Sequence, residues 1–180
     1  MIARRWTRSL TAIAFAVVLI SACEADTGAR ASSDPLRGGA DAFLERATDT
    51  FPELDFLSYE RLLYELRGRP VVVNLWASYC VPCRTETPLF VEAAGRYGDD
   101  IRFLGVDSLD EQAPARAFYE RRDVPYPSVS DPTGQIHDRL GFFGLPDTIF
   151  YAADGHITET WSGPITADDL QERLERVLAA

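Results

Sequence analysis

The stretch Trp76-Ala77-Ser78-Tyr79-Cys80-Val81-Pro82-Cys83 decides how the rest of the chain is read. Ahead of it, Val71, Val72, Val73, Leu75 and Trp76 form an apolar, β-branched run, as in a strand buried on both faces. Pro82 fits the first turn of a helix, where its missing N–H is no loss. Two thiols therefore stand at a strand-to-helix junction. A thiolate attacks, not a thiol, and a helix N-terminus favours negative charge. Cys80 would sit just ahead of the first turn, with free backbone N–H groups aimed at its sulfur. Cys83, one turn deeper, can reach that sulfur and resolve a mixed disulfide. Redox chemistry is the favoured reading. An inert disulfide and a pair of metal ligands are the alternatives. Three cysteines exclude a four-Cys zinc site, and neither His137 nor His156 has ligand-type spacing.

Val73-Asn74-Leu75-Trp76-Ala77-Ser78, Cys80-Val81-Pro82-Cys83-Arg84 and Glu86-Thr87-Pro88 together carry a family resemblance. The segment resembles the thioredoxin-fold thiol–disulfide oxidoreductases, most closely their TlpA/ResA/DsbE-like extracytoplasmic branch. The likeness covers roughly residues 58–180, the size of one domain. It implies an α/β thioredoxin fold, a central mixed β-sheet flanked by helices. It also implies that Pro146, in Gly144-Leu145-Pro146-Asp147, is the family's cis-proline. That loop would present the Leu145 backbone beside the disulfide, where a substrate backbone can pair as an added strand. Asp147 departs from the usual Thr after this proline. Asn74 stands where thioredoxins carry a buried Asp, and Glu86 matches a redox-important Glu of ResA-like proteins. A solvated surface Glu is the competing reading of Glu86. Trp76 and Tyr79 match aromatic positions that flank the site and, with Leu145, would line a substrate groove or simply pack. His137 and His156 are expected at the surface and Trp161 in the core.

Residues 1–22 read as a targeting segment. Arg4, Arg5 and Arg8 make a basic start, and Leu10–Ile20 is apolar but too short to span a bilayer comfortably. Ile20-Ser21-Ala22-Cys23 resembles a bacterial lipobox, with Ile20 in place of the usual Leu, so Cys23 is expected to be lipidated. Plain secretory cleavage and an uncleaved anchor are the alternatives. Lipidation would leave Cys80 and Cys83 as an even, self-sufficient pair, in an oxidising compartment. Residues 23–40, rich in Ala, Gly, Ser and Asp, read as a flexible tether with a reach of roughly 20–25 Å. Residues 41–180 read as the thioredoxin-like domain.

Within that domain Phe43, Leu44 and Ala47 have helical spacing, ended by Pro52. TlpA-like proteins usually carry a β-hairpin here, and none is legible. Ser58 is the expected cap of a helix to about Leu66, closed by Arg67-Gly68. A helix over 84–97, broken or kinked at Pro88, follows the cysteines. A strand over 101–106 and a crossover helix over 114–122 come next, with Ala117, Phe118 and Arg121 on its inner edge. Val129 lies in a short extended piece before the turn Asp131-Pro132-Thr133-Gly134 and a short helix over 135–140. Strands over 147–152 and 156–161 are joined by Ala153-Asp154-Gly155, a hairpin signal. Thr166 caps a last helix, with Leu170, Leu174, Val177 and Leu178 inward.

The formal charge is −10, all 18 basic residues are Arg, and removal of the three arginines of residues 1–22 would make it −13. That balance argues against nucleic acid and against electrostatic binding to anionic lipid. No nucleotide-binding glycine loop is present, and no cofactor is implied. The chain also lacks the Pro-x-x-x-Thr-x-x-Cys arrangement of peroxidases that share this fold. The expected protein is a membrane-tethered, outward-facing oxidoreductase, a reductant rather than an oxidant, because Val81-Pro82 lacks the intervening His of strong oxidants. By resemblance its partners are disulfides or thiols of exported proteins, apocytochrome c among them, and a membrane electron donor. A copper- or zinc-handling protein using the same thiols, or a binding module with a structural disulfide, are the readings from other classes.

Overall fold

The structure, a computed structural model, describes residues 34–180. The targeting segment, Cys23 and the first part of the tether lie outside the described residues. Five strands form one sheet in the order β3-β2-β1-β4-β5. β1 (Val71–Trp76) is central, parallel to β2 (Arg102–Ser108) and antiparallel to β4 (Asp147–Tyr151). β3 (Ser128–Asp131) runs parallel to β2, and β5 (Ile157–Ser162) antiparallel to β4. This is the mixed sheet of the thioredoxin fold. All six residues of β1 are buried, as its unbroken apolar run requires.

The strand alternation divides the core into two layers. Val72, Phe103 and Phe150 face one side and pack with α3 (Val81–Tyr97), α4 (Gln112–Arg122) and α6 (Ala167–Leu178). Val71, Val73, Leu75, Leu104, Val106 and Ile149 face the other. There they meet α1 (Ala40–Thr50), α2 (Phe56–Glu65) and α5 (Gln135–Arg139). Asn74 and Asp107 share the first side with Val72 and Phe103. Asp147 shares the second with Ile149.

Residues 34–40 are not part of a free tether. Leu36 is buried in the second layer with Phe43 and Ala47, and Arg61 pairs with Asp34 at 2.8 Å. The ambiguous 41–57 stretch is helical through Thr50 and turns at Phe51, which has a φ of 46°. The chain then runs beside the β3 edge. Leu54 N–H donates to the Ser130 carbonyl at 3.1 Å, and Ser130 N–H to that of Pro52 at 3.0 Å.

Several local expectations are corrected. Asp55, not Ser58, caps α2, accepting the Ser58 N–H at 2.7 Å. α3 begins at Val81 and continues through Pro88. Ala115, Phe118 and Tyr119 form the inner edge of α4, and Arg121 is exposed. On α6 Leu178 is exposed, while Arg173 is buried over the half-buried Trp161 ring, 4.0 Å from its centroid. Thr166 caps α6 as expected.

Candidate active site

The register puts the site at one end of the sheet. Leu75 pairs with Asp147, so the loop after β1 and the loop before β4 leave the sheet side by side. The first carries the cysteines and the second Leu145-Pro146, whose peptide bond is cis. Cys80 is the N-cap of α3, and Pro82 stands in the first turn. Cys83 N–H donates to Cys80 Sγ at 3.2 Å. The two residues form a disulfide with Cα atoms 5.3 Å apart. Such a donor at a helix N-terminus is the feature that stabilises a thiolate at Cys80 once the bond opens. Cys80 keeps 8% of its surface and Cys83 only 1%, so Cys80 is the more accessible of the two residues.

Glu86 lies in the interior, 2% exposed, and the surface reading of it is overturned. Both oxygens have donors. Asn74 Nδ2 donates to Oε1 at 3.0 Å, and Ile165 N–H to Oε2 at 3.0 Å. Burial raises its pKa to about 7, against the pull of the Ile165 and Asn74 hydrogen bonds, with the Asp147 charge adding to the rise. The group is therefore poised to hold or release a proton at neutral pH. Glu86 and Cys83 are three residues apart on α3 and share its inner face.

A second acid, not among the residues singled out from the sequence, is also buried. Asp107, at the end of β2, is fully buried, and neither oxygen has a donor. Burial, then the charge of Asp110 and hydrogen bonding with it, raise its pKa to about 8, and Asp131 adds to the effect. Asp110 itself accepts the Ser78 N–H and so steadies the loop that leads to Cys80. An acid closing the apolar run Phe103-Leu104-Gly105-Val106 was the available signal. Trp76 is corrected too. It is 2% exposed, stacked on Tyr119 at 4.7 Å, with Nε1 donating to Ser128 Oγ at 3.2 Å, so it has no face for a substrate. Gly105 is required beside it, because a Cβ there would collide with Tyr119, Ser128 and Trp76.

Tyr79 and Val81 are exposed next to the disulfide, 59% and 68% respectively, and Phe143 projects fully from the Pro146 loop. Leu145 is half-buried against the core. His137, expected at the surface, is buried beneath that same loop. Among the described residues, no group of three or more His, Cys, Asp or Glu is arranged to hold a metal ion.

Comparison with known proteins agrees with this geometry. The chain is 32% identical over 113 residues to the thiol:disulfide interchange protein HelX of Rhodobacter capsulatus, covering 62% of each protein. It is 30% identical over 146 residues to a thiol:disulfide interchange protein DsbE homolog of Paracoccus denitrificans, covering 77% of this chain and 79% of that one. The chain spans less than two thirds of the length of the first curated relatives it matches. A solved DsbF homologue from Corynebacterium diphtheriae superposes with a TM-score of 0.58 at 26% identity, over 63% of this chain and 75% of that one. Residues 50–160, more than half of the sequence, match the model of the AhpC/TSA family, and the chain belongs to that family.

Proposed function

We propose that this chain is an extracytoplasmic thiol–disulfide oxidoreductase that reduces disulfides of exported proteins. The observation that carries the reading is the Cys80–Cys83 pair at the start of α3, backed by the buried carboxyl of Glu86. The names of its relatives, thiol:disulfide interchange proteins, support it. In the reduced state the Cys80 thiolate attacks one sulfur of a substrate disulfide and expels the other as a thiolate. The resulting mixed disulfide is then attacked by Cys83. The Cys80–Cys83 bond forms, the second substrate sulfur leaves, and two electrons have passed to the substrate. Glu86 takes the Cys83 proton during this resolution and returns it when the pair is reduced again. A dithiol donor at the membrane restores the pair by the same exchange.

Cys80, Cys83 and Glu86 carry the chemistry in this reading. Pro146 and Leu145 present the backbone edge beside it, and Tyr79 supplies an exposed aromatic contact. Lipid on Cys23 and the chain up to residue 33 hold the domain near the membrane, where cytochrome c precursors are one class of substrate. The deciding experiment uses the reduced protein in an insulin-reduction assay, with Cys83→Ser as a trap. Turnover by the parent, and mixed disulfides to exported proteins in the trap, are expected. No turnover together with stoichiometric bound copper or zinc would replace this reading with metal handling. An unmodified mature N-terminus at a residue other than Cys23 would remove the anchor.

A further inference from the structure

His137 is a buried titratable group in contact with the substrate-facing loop that the redox steps leave unused. It is 5% exposed and lies on α5, on the sheet face opposite Glu86. Its two ring nitrogens have different partners of one kind. Nε2 meets the Gly144 carbonyl at 2.9 Å, and Nδ1 meets Asp138 Oδ1 at 3.0 Å. A carbonyl and a carboxylate only accept. A neutral imidazole has one N–H and leaves one of the two contacts without a proton, whereas an imidazolium donates to both. Asp147 from β4 adds a second carboxyl that interacts with the ring. Its Oδ2 is buried and has no hydrogen-bond partner. From β3, Asp131 accepts the His137 backbone N–H at 3.1 Å and fixes where the ring starts.

We propose that His137 is a positioning residue for the Gly141–Pro146 loop. Its imidazolium fastens the Gly144 carbonyl and balances the buried Asp147 carboxylate, so the loop is held most firmly when the ring is charged. The proposal rests on the redox reading, in which this loop receives the substrate backbone. Loss of the proton removes the Nδ1 contact and the balance at Asp147. The Nε2 contact to Gly144 survives but is no longer charge-assisted, and charge assistance roughly doubles such a bond. Burial alone would lower the pKa of the ring. The Asp138 contact, the Gly144 carbonyl and the Asp147 charge outweigh burial and hold it above 6.5. The loop is therefore expected to loosen as the pH rises through that raised value.

The test uses the full chain and two variants. His137→Leu keeps bulk and removes both donors, and His137→Gln keeps an amide donor for Gly144 without charge. The chain has two histidines, and His156 is exposed, so its resonance is a control for the ring titration by nitrogen-15 NMR. A doubly protonated His137 at pH 6 is expected, and amides of residues 141–145 should exchange faster at pH 9 than the chemical rate increase explains. With insulin as the disulfide probe, His137→Leu should raise KM about tenfold at pH 6, equivalent to about 1.4 kcal/mol. His137→Gln should recover part of that loss and show no change of KM with pH beyond the thiol titration. A neutral ring at pH 6, or identical exchange in the parent and His137→Leu, would overturn the proposal. If the parent fails to reduce insulin at any pH, the redox reading fails alone, and the NMR and exchange measurements still decide the role of His137.

Discussion

Two buried carboxyls lie beneath the same face of the sheet, and the protein treats them differently. Glu86 receives a hydrogen bond on each oxygen, from Asn74 and from the Ile165 backbone. Asp107 receives none and has the Asp110 carboxyl as a neighbour. Both are shifted upward, Glu86 to about 7 and Asp107 to about 8. The difference lies in what each could do with a proton. Two donors make the charged form of Glu86 tolerable, so the proton can leave and come back. Without donors and beside the charge of Asp110, which holds the Ser78 amide, Asp107 keeps its proton at neutral pH. One acid is built to exchange its proton, and the other to stay neutral.

The largest expected effect tests the second half of that contrast. An unfolded chain ionises Asp107 near 3.8 and the folded chain near 8. Between those values the folded state holds the extra proton, so stability falls as the pH rises across that window. Asp107→Asn removes the loss and can donate to Asp110. Its urea midpoint should exceed that of the parent in alkaline buffer by a stability on the order of 3–5 kcal/mol, with parity near pH 4. Equal midpoints throughout would mean that Asp107 is not buried as an acid. Resolution of the mixed disulfide should stay within about twofold of the parent.

Glu86→Gln should do the reverse in kinetics. Its stability gain is smaller, on the order of 2–3 kcal/mol, and is complete only above the folded value, about 7. Resolution of a Cys80 mixed disulfide should slow by about a hundredfold, the low end of general acid–base assistance. A stopped-flow trace matching the parent would assign the proton to water.

Asn74→Ala would make Glu86 resemble Asp107 by removing the donor to Oε1. The Glu86 pKa should rise by about one unit, the usual worth of a hydrogen bond to a charged group. Carboxyl infrared absorption against pH would read it directly, and an unchanged titration would mean that Ile165 alone sets the value. The smallest effect is through space. The charge on Glu86 disfavours a nearby thiolate, so Glu86→Gln should lower the thiol pKa values by less than about one unit. Thiolate absorbance in the reduced protein measures this, and superimposed curves would separate Glu86 from the sulfurs.

The sequence discloses what is local. Cys80-Val81-Pro82-Cys83 marks a helix start because Pro82 and the cap chemistry act over one turn. Ala153-Asp154-Gly155 marks a hairpin because a turn needs only its own residues. Thr166 and the spacing of Leu170, Leu174 and Val177 do the same for the last helix. What the sequence hides depends on residues far away. Leu36 sits in a run of turn formers, and its burial against Phe43 is set by a helix that follows it. His137 has the composition of a surface residue until Gly144 and Asp147 close over it. Trp76 resembles an active-site aromatic by position, yet Phe118, Tyr119 and Ser128 enclose it from a different part of the chain. Glu86 is legible only by resemblance, and one of its two donors, the Ile165 N–H, lies 79 positions away.

The segment beside β3 has a consequence for behaviour in a crowded compartment. An exposed sheet edge is a template on which another chain can add itself. Here the backbone of Pro52–Leu54 already occupies two of the hydrogen-bonding positions of Ser130. The opposite edge, β5, carries Glu159 in ion pairs with Arg173 and Arg176, and charge on an edge deters stacking. In the function proposed above, a reactive sulfur is offered to partly folded clients, which bring many loose strands. With one border of the sheet covered and the other charged, a client received at the Pro146 loop, as proposed, would be discouraged from propagating along the sheet.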